Sequence, residues 1–278
     1  MAVVIRTKAD GKKAPKADKA PTTVRVSLPE EPVEPSGSLN DFSILIHGVK
    51  KIGKTSLALQ GGRSLLLQFD PPQIAYKRME ILCPNWKTFK AALVQLEARA
   101  ADGDFPYDRV VIDRADMWYK YCEYWVMEKL AISKMSEEAF GGAWQMAERE
   151  FTEAVDRVLR LPCGKWFLCH SMEEAEENRH GEEIIKLKPN LNKRADAVLN
   201  GKCDGWFAYV YEGKRRALVV RGDDRTGAGH RIDGHFLTRA GKRIRAVDMG
   251  RSPEEAWNNF LAAFNNKQTD VDPFQIKE

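Results

Sequence analysis

The chain reads as an α/β protein with a mainly parallel central sheet, flanking helices and a late β-hairpin. Short continuous apolar runs recur along it, each ending in a polar residue, as strands buried on both faces do. Helical patterns separate these runs, which argues for βαβ crossovers. The first run also passes directly into a glycine-bounded loop and then a helix.

That first run is Phe42–His47. The loop Gly48-Val49-Lys50-Lys51-Ile52-Gly53-Lys54-Thr55-Ser56 follows it, with the helix beginning near Lys54. Ser64–Phe69 is the next buried strand, closed by Asp70 and two prolines. Residues 86–101 carry a helical pattern that Asp102-Gly103 breaks, and residues 109–113 form a strand ending in a carboxylate. Residues 115–130 and 136–161 read as helices, the second closed by Pro162, and residues 165–170 as a third buried strand. Residues 205–211 and 216–221 flank Glu212-Gly213-Lys214-Arg215, a hairpin turn. A loop rich in Gly, Asp and Arg then runs from Gly222 to Gly234. Residues 253–264 close the fold as an amphipathic helix with Pro253 in its first turn.

Outside this body, residues 1–40 lack apolar periodicity and carry prolines at 15, 21, 29, 32 and 35, so a disordered basic arm is expected. An edge strand at Val24–Leu28 is the one element considered there. The folded domain is expected over 41–265 and a flexible tail over 266–278.

The loop matches G-x-x-x-x-G-K-[ST], and its setting between strand and helix gives the match physical content. Gly48 and Gly53 let the backbone curl so that N–H groups point at a polyphosphate, and the helix N-terminus faces the same anion. Lys54 would reach the β- and γ-phosphates, and the Thr55 hydroxyl would ligate Mg²⁺. Lys50 and Lys51 either add positive potential or face solvent.

At 43% hydrophobic and 30% charged, the composition is that of a globular protein, and no apolar run approaches a membrane span. The five cysteines include no C-x-x-C pair, so a reduced cytoplasmic protein without structural zinc is expected. The net charge of +4 is accounted for by residues 1–20 alone, with six Lys/Arg against two Asp. Residues 214–251 hold eleven Lys/Arg against four Asp, so the rest of the chain is acidic. A polyanion partner is expected at 214–251 and, less directly, at the arm.

In an open parallel sheet, ligands bind at the carboxyl ends of the strands, where Asp70, Asp113 and His170 stand. Asp113, ending a buried strand after the loop, suits a Walker B carboxylate that shares Mg²⁺ with Thr55. Asp116 is the better candidate for capping the next helix. Asp70 either orients the attacking water or serves the turn at its two prolines. His170 either senses the γ-phosphate or is a strand-end histidine. Arg221, Arg225 and Arg231 are arginine candidates for transition-state charge, in cis or from a neighbouring subunit. His180, His230 and His235 read as surface residues, and the aromatic cluster from Trp118 to Trp125 as helix core.

Taken together, Gly48–Ser56, Val110–Asp113 with its trailing Arg-Ala-Asp, Phe140-Gly-Gly-Ala-Trp144 and Trp166–His170 resemble the phage nucleotide-binding proteins of the RecA-like ATPase class. Leu187-Lys-Pro-Asn-Leu191, Cys203-Asp204 and the strand ending at Arg221 extend the likeness, which covers roughly 42–235. That class includes the phage single-strand annealing ATPases of the Sak type. The resemblance implies a RecA-like P-loop domain, ATP with Mg²⁺, hydrolysis stimulated by single-stranded DNA, a homo-oligomer, and a role in recombination in the host cytoplasm. It also implies Lys54 and Thr55 as Walker A residues, Asp113 as Walker B and His170 as sensor. Where the class often carries Glu near the second strand's end, this chain has Asp70. Two other functions share the loop: a small-molecule or nucleotide kinase with Gly222–Gly234 as lid, and an ATP-binding assembly factor with little turnover.

Overall fold

The computed structural model describes Leu28 and residues 30–72, 74–177 and 180–274. The basic start of the arm and the edge strand considered at 24–27 lie outside these residues. Leu28 and residues 30–34 are exposed and form no helix or strand, and residues 35–278 make up a separate compact unit.

The frame of that unit is a parallel sheet. β1 (Ser43–Gly48), β2 (Ser64–Gln68), β3 (Met79–Leu82), β4 (Arg109–Asp113), β5 (Gly164–Glu177) and β7 (Gly205–Glu212) lie in the order β3-β2-β4-β5-β1-β7. Between them in sequence come α1 (Lys54–Ala58), α2 (Trp86–Ala101), α3 (Ala115–Leu130), α4 (Gly142–Leu159), β6 (Glu183–Pro189) and α5 (Lys193–Lys202). β8 (Arg215–Val219) turns back antiparallel on β7, and β10 (Ala246–Asp248) pairs antiparallel with β8. β9 (Gly229–His230) is a short antiparallel addition to β7, and α6 (Pro253–Phe264) ends the unit. This is the mainly parallel α/β architecture expected, with flanking helices and the late hairpin at β7–β8. The strand leading into the phosphate loop, β1, is separated from the Asp113 strand, β4, by β5.

Side chains alternate across the sheet and divide the core in two. Leu45, Leu67, Ile112 and Phe167 face α2, α3, α4 and α5, whose Trp86, Trp118 and Phe151 are fully buried. Ile44, Ile46, Val111, Trp166 and Leu168 face the other way, toward α1 and Phe260 of α6. Trp118 and Tyr119 are core residues as expected, whereas Tyr124 is 45% exposed.

Arg109 shows how tightly that second layer is tied. It is fully buried at the start of β4, and its guanidinium donates to the Ala58 and Gln60 carbonyls at the end of α1, both at 3.0 Å. The indole faces of Trp166 and Trp257 lie 4.4 and 4.7 Å from its central carbon. The cation thus caps the C-terminus of a short helix and joins it to α6. Arg109→Met is expected to destabilise the protein by about 2 kcal/mol, since the lost charged hydrogen bonds outweigh the relieved desolvation. Urea unfolding would measure it, and an unchanged midpoint would exclude this role.

Three of the expected elements take another form. The helix expected at 136–161 begins only at Gly142, because Phe140 and Gly141 both have left-handed φ, 54° and 71°, and split off two short 3-10 turns. β5 runs seven residues beyond His170 and pairs with β6 from Ser171–Pro189 to Glu177–Glu183. The tail expected at 266–278 is docked through residue 274: the Gln268 side-chain amide donates to the Ala246 carbonyl at 3.0 Å, and Asp272 accepts from Arg245 at 2.6 Å with its side chain 1% exposed.

Candidate nucleotide site

The loop after β1 is shaped by the packing of the sheet as well as by its glycines. A Cβ placed on Gly48 would stand 2.4 Å from the Tyr209 carbonyl of β7, so only glycine fits where the two strands meet. Gly53 has φ of 117° and N-caps α1 in a conformation that costs glycine nothing. Ile52 is buried and anchors the loop, Val49, Lys50 and Lys51 are exposed, and Lys51 is itself left-handed at φ 64°. The Ser56 hydroxyl donates back to the Gly53 carbonyl at 3.0 Å.

Lys54 is buried, and its ammonium donates to the Gly48 and Val49 carbonyls at 2.7 and 2.9 Å. Burial lowers its pKa to about 8 despite the nearby Asp113 carboxyl. The Thr55 hydroxyl donates to Asp113 Oδ2 at 2.7 Å, bringing the end of β4 across β5 to the first turn of α1. Asp113 is 4% exposed, and burial raises its pKa to about 6 against the opposing Thr55 hydrogen bond and Lys54 charge. A hydroxyl and a carboxylate side by side are hard oxygen donors, which is the chemistry Mg²⁺ takes. No group of three or more His, Cys, Asp or Glu able to hold a metal stands among the described residues. The donor pair therefore fits a magnesium ion shared with phosphate oxygens and water.

The register sets the remaining candidates around this pair. Gly48 lies beside His170, and Asp113 beside Gln68, so four strand ends share one rim. His170 is half-buried, and its pKa is lowered by burial, then by Arg114 and Lys54. Asp70 accepts from Arg114 at 2.9 Å, and the same guanidinium donates to Asp116 at 3.1 Å through Nε. Asp116 accordingly pairs with Arg114 within the first turn of α3, and the N-cap position is Arg114 itself without a side-chain cap.

Arg114 is thus a site residue that sequence reasoning passed over, and the trailing Arg-Ala-Asp after Asp113 is the signal that carries it. Arg216 of β8 is another. Its Nε and Nη2 donate to the Gly250 carbonyl at 3.1 and 3.0 Å, and a Cβ on Gly53 would meet its Nη1 at 3.1 Å. His47 is a third: fully buried at the end of β1, it accepts from the Ser171 hydroxyl at 2.9 Å and donates to the Gly227 carbonyl at 2.8 Å. It joins the strand of the phosphate loop to the residue after His170 and to the Gly222–Gly234 loop.

The structure does not bring Arg221 or Arg231 to this site. Arg216, near the start of β8, reaches the phosphate loop, and Arg221 lies five residues farther along, past the end of the strand and roughly 16 Å away at the strand rise. Arg231 donates to Asp204 at 3.0 Å, and Asp204 accepts from the Ser43 amide at 2.9 Å, where β1 begins and not where it ends. Arg225 is exposed on the loop that Asp223 folds. His230 and His235 are half-buried among Phe207, Phe236 and Phe264, which corrects their reading as surface residues; His180 is exposed. The five cysteines are buried and free. No helix among the described residues is long and apolar enough to cross a membrane. A surface hollow of about 570 Å³ along α4, between Gln145 and Arg160, shares no residue with the site.

The chain is 25% identical over 158 residues to the SPbeta prophage-derived uncharacterized protein YorG of Bacillus subtilis strain 168, a match covering 56% of this chain and 49% of that protein. It therefore spans about half the length of the curated relative it matches. Among solved structures, a KaiC-like protein of Pyrococcus horikoshii OT3 superposes with a TM-score of 0.40 at 9% identity, covering 77% of this chain and 88% of that one. A family model described as AAA domain matches residues 40–232, which include the phosphate loop, Asp113 and His170. On that match, over more than half its length, the chain belongs to the AAA domain family of P-loop NTPases.

Proposed function

We propose that this P-loop ATPase domain hydrolyses Mg-ATP, binds single-stranded DNA and supports recombination by strand annealing in a phage-type system, working as a homo-oligomer. The observation that carries the nucleotide half is the Lys54–Thr55–Asp113 cluster at the end of β1. Thr55 and Asp113 would hold the magnesium ion, which when bound neutralises charge on the phosphate oxygens. Lys54 gives up its two loop carbonyls for the phosphates. Asp70 orients the attacking water, with its carboxylate placed by Arg114. His170, kept neutral by burial and two nearby cations, reports on the γ-phosphate through hydrogen bonding rather than charge.

The DNA half is supported by the charge left over in 214–251 and by the likeness to a prophage-derived protein. Much of that basic charge is used internally: Arg215 pairs with Asp248, Arg231 with Asp204, and Arg245 with Asp223 and Asp272. The surplus available to a partner is therefore smaller than eleven cations suggest. A kinase is less well supported, because Gly222–Gly234 does not form a free lid. It is bonded to β6 through Gly227 N–H to Leu187 O at 2.8 Å and to β1 through His47.

ATP turnover and oligomer size, measured at low salt with and without a single-stranded oligonucleotide, test the proposal. Turnover is expected to rise with DNA, in parallel with oligomer size. Turnover without stimulation or DNA retention would remove the DNA half and leave the ATPase; no nucleotide binding would remove both.

A further inference from the structure

At the end of the sheet away from the phosphate loop, Arg221, His230, Arg231, Asp233, His235 and Arg243 help to line a cavity of about 280 Å³. Three polar atoms on two neighbouring residues of this lining are left without partners. Arg221 Nε and both ring nitrogens of His230 are shielded from solvent and make no hydrogen bond among the described residues. The Ile232 backbone lies near enough to His230 to favour a ring proton, but not in hydrogen-bond geometry. Such orphaned donors cost roughly 1–3 kcal/mol each and call for a ligand.

The charges point the same way. Burial and then the nearby Arg243 disfavour charge on Arg221, and burial followed by the two arginines does the same to His230. Arg231 is already paired with Asp204, and the ring nitrogens of His235 face the Phe264 and Ser36 carbonyls, so neither supplies the free donors. Asp233 is an exposed carboxylate on the lining and does not neutralise two arginines. Two guanidinium groups and an imidazole N–H converging from separate chain segments suit an oxyanion with oxygens in several directions, and arginine forks suit phosphate in particular.

We propose that the cavity walled by Arg221, His230 and Arg243 binds a phosphoryl oxyanion, either free or within a nucleic-acid backbone. The backbone source rests on the DNA reading above; the free-phosphate source does not, and neither depends on the phosphate loop. The site holds its anion at the opposite end of the sheet from the nucleotide, with Arg221 as the inner fork and the exposed Arg243 as the outer one.

The test uses the full chain without nucleotide, titrated with inorganic phosphate by calorimetry and with a labelled oligothymidylate of twenty nucleotides by anisotropy at low salt. Arg221→Gln and Arg243→Gln are each expected to weaken phosphate at least about tenfold. Lys54→Ala should leave that binding in place. Arg243 is exposed, so its variant keeps the fold if Arg221→Gln does not. Parallel loss of oligothymidylate affinity, beyond that of the exposed Lys214→Gln, identifies a backbone phosphate. Unchanged oligothymidylate affinity with lost phosphate affinity identifies a free one. Phosphate binding that disappears only in Lys54→Ala, or that neither arginine variant alters, overturns the proposal.

Discussion

Lys54→Ala is expected to lower ATP turnover by about two to three orders of magnitude while leaving a folded protein. The side chain is a cation buried against the loop, and among the described residues its ammonium donates to the Gly48 and Val49 carbonyls alone. Those two acceptors are weak compensation for a desolvated charge, as its pKa of about 8 records. The sign follows from that. Because the folded pKa is lowered, charged Lys54 costs stability at neutral pH, and the cost fades as pH rises from about 8 toward the unfolded value of 10.5. Removing the group therefore relieves a desolvation cost and loses two hydrogen bonds, so stability should change by no more than about 1 kcal/mol. The ammonium is consequently held for an anion and not for the fold. Turnover and thermal midpoint, measured together, separate the two: a variant with normal turnover would place the chemistry elsewhere, and one that unfolds would make Lys54 structural.

How much of this was legible in the sequence depends on what each residue buries. β1, β2, β4 and the first part of β5 are apolar runs covered on both faces, and their carboxyl ends, with Asp113 and His170, follow from the pattern alone. The β5–β6 hairpin was not legible. Beyond His170 the strand reads Ser-Met-Glu-Glu-Ala-Glu-Glu, and its partner supplies Lys186 and Lys188 to pair with Glu174 and Glu176. Charge pairing across an exposed ribbon leaves no hydrophobic period to detect. β3 was missed for a related reason, being a short edge strand that is half-exposed. At the site, the same limit divides Asp113 from Arg114. A strand-ending carboxylate is a pattern, whereas the direction in which the next guanidinium points, toward Asp70 and Asp116, is set by tertiary packing. Arg221 and Arg231 show the converse: both looked available to the nucleotide until the antiparallel course of β8, and the pairing of β9 with the start of β7, carried these two residues away from it.

His47→Gln should flatten the acid side of the stability profile by about 2–3 kcal/mol between pH 7.5 and 4.5. His47 is fully buried, and desolvation lowers its pKa to about 4 against the favourable Gly227 hydrogen bond. The unfolded chain takes up a proton near the ordinary histidine value of 6.5, whereas the folded protein does not until about 4. Stability from this group is thus complete above pH 6.5 and is lost as pH falls toward 4, with each pH unit in between worth about 1.4 kcal/mol. Glutamine can accept from Ser171 and donate to Gly227 without titrating, so the variant should lose far less between the two pH values. The comparison must be made between variants. Asp113, with its pKa raised to about 6, favours the folded state as pH falls through the same window and partly hides the histidine in the wild-type curve. His230, also lowered to about 4, adds a second acid-labile contribution that the substitution leaves untouched. Urea unfolding of both proteins at the two pH values gives the difference directly, and parallel curves would show that His47 does not titrate in this range. The consequence reaches the site. Protonating His47 sets a charge beside Lys54 and gives Nδ1 a proton where it now accepts, so the Ser171 hydroxyl next to His170 must turn from donor to acceptor on acidification.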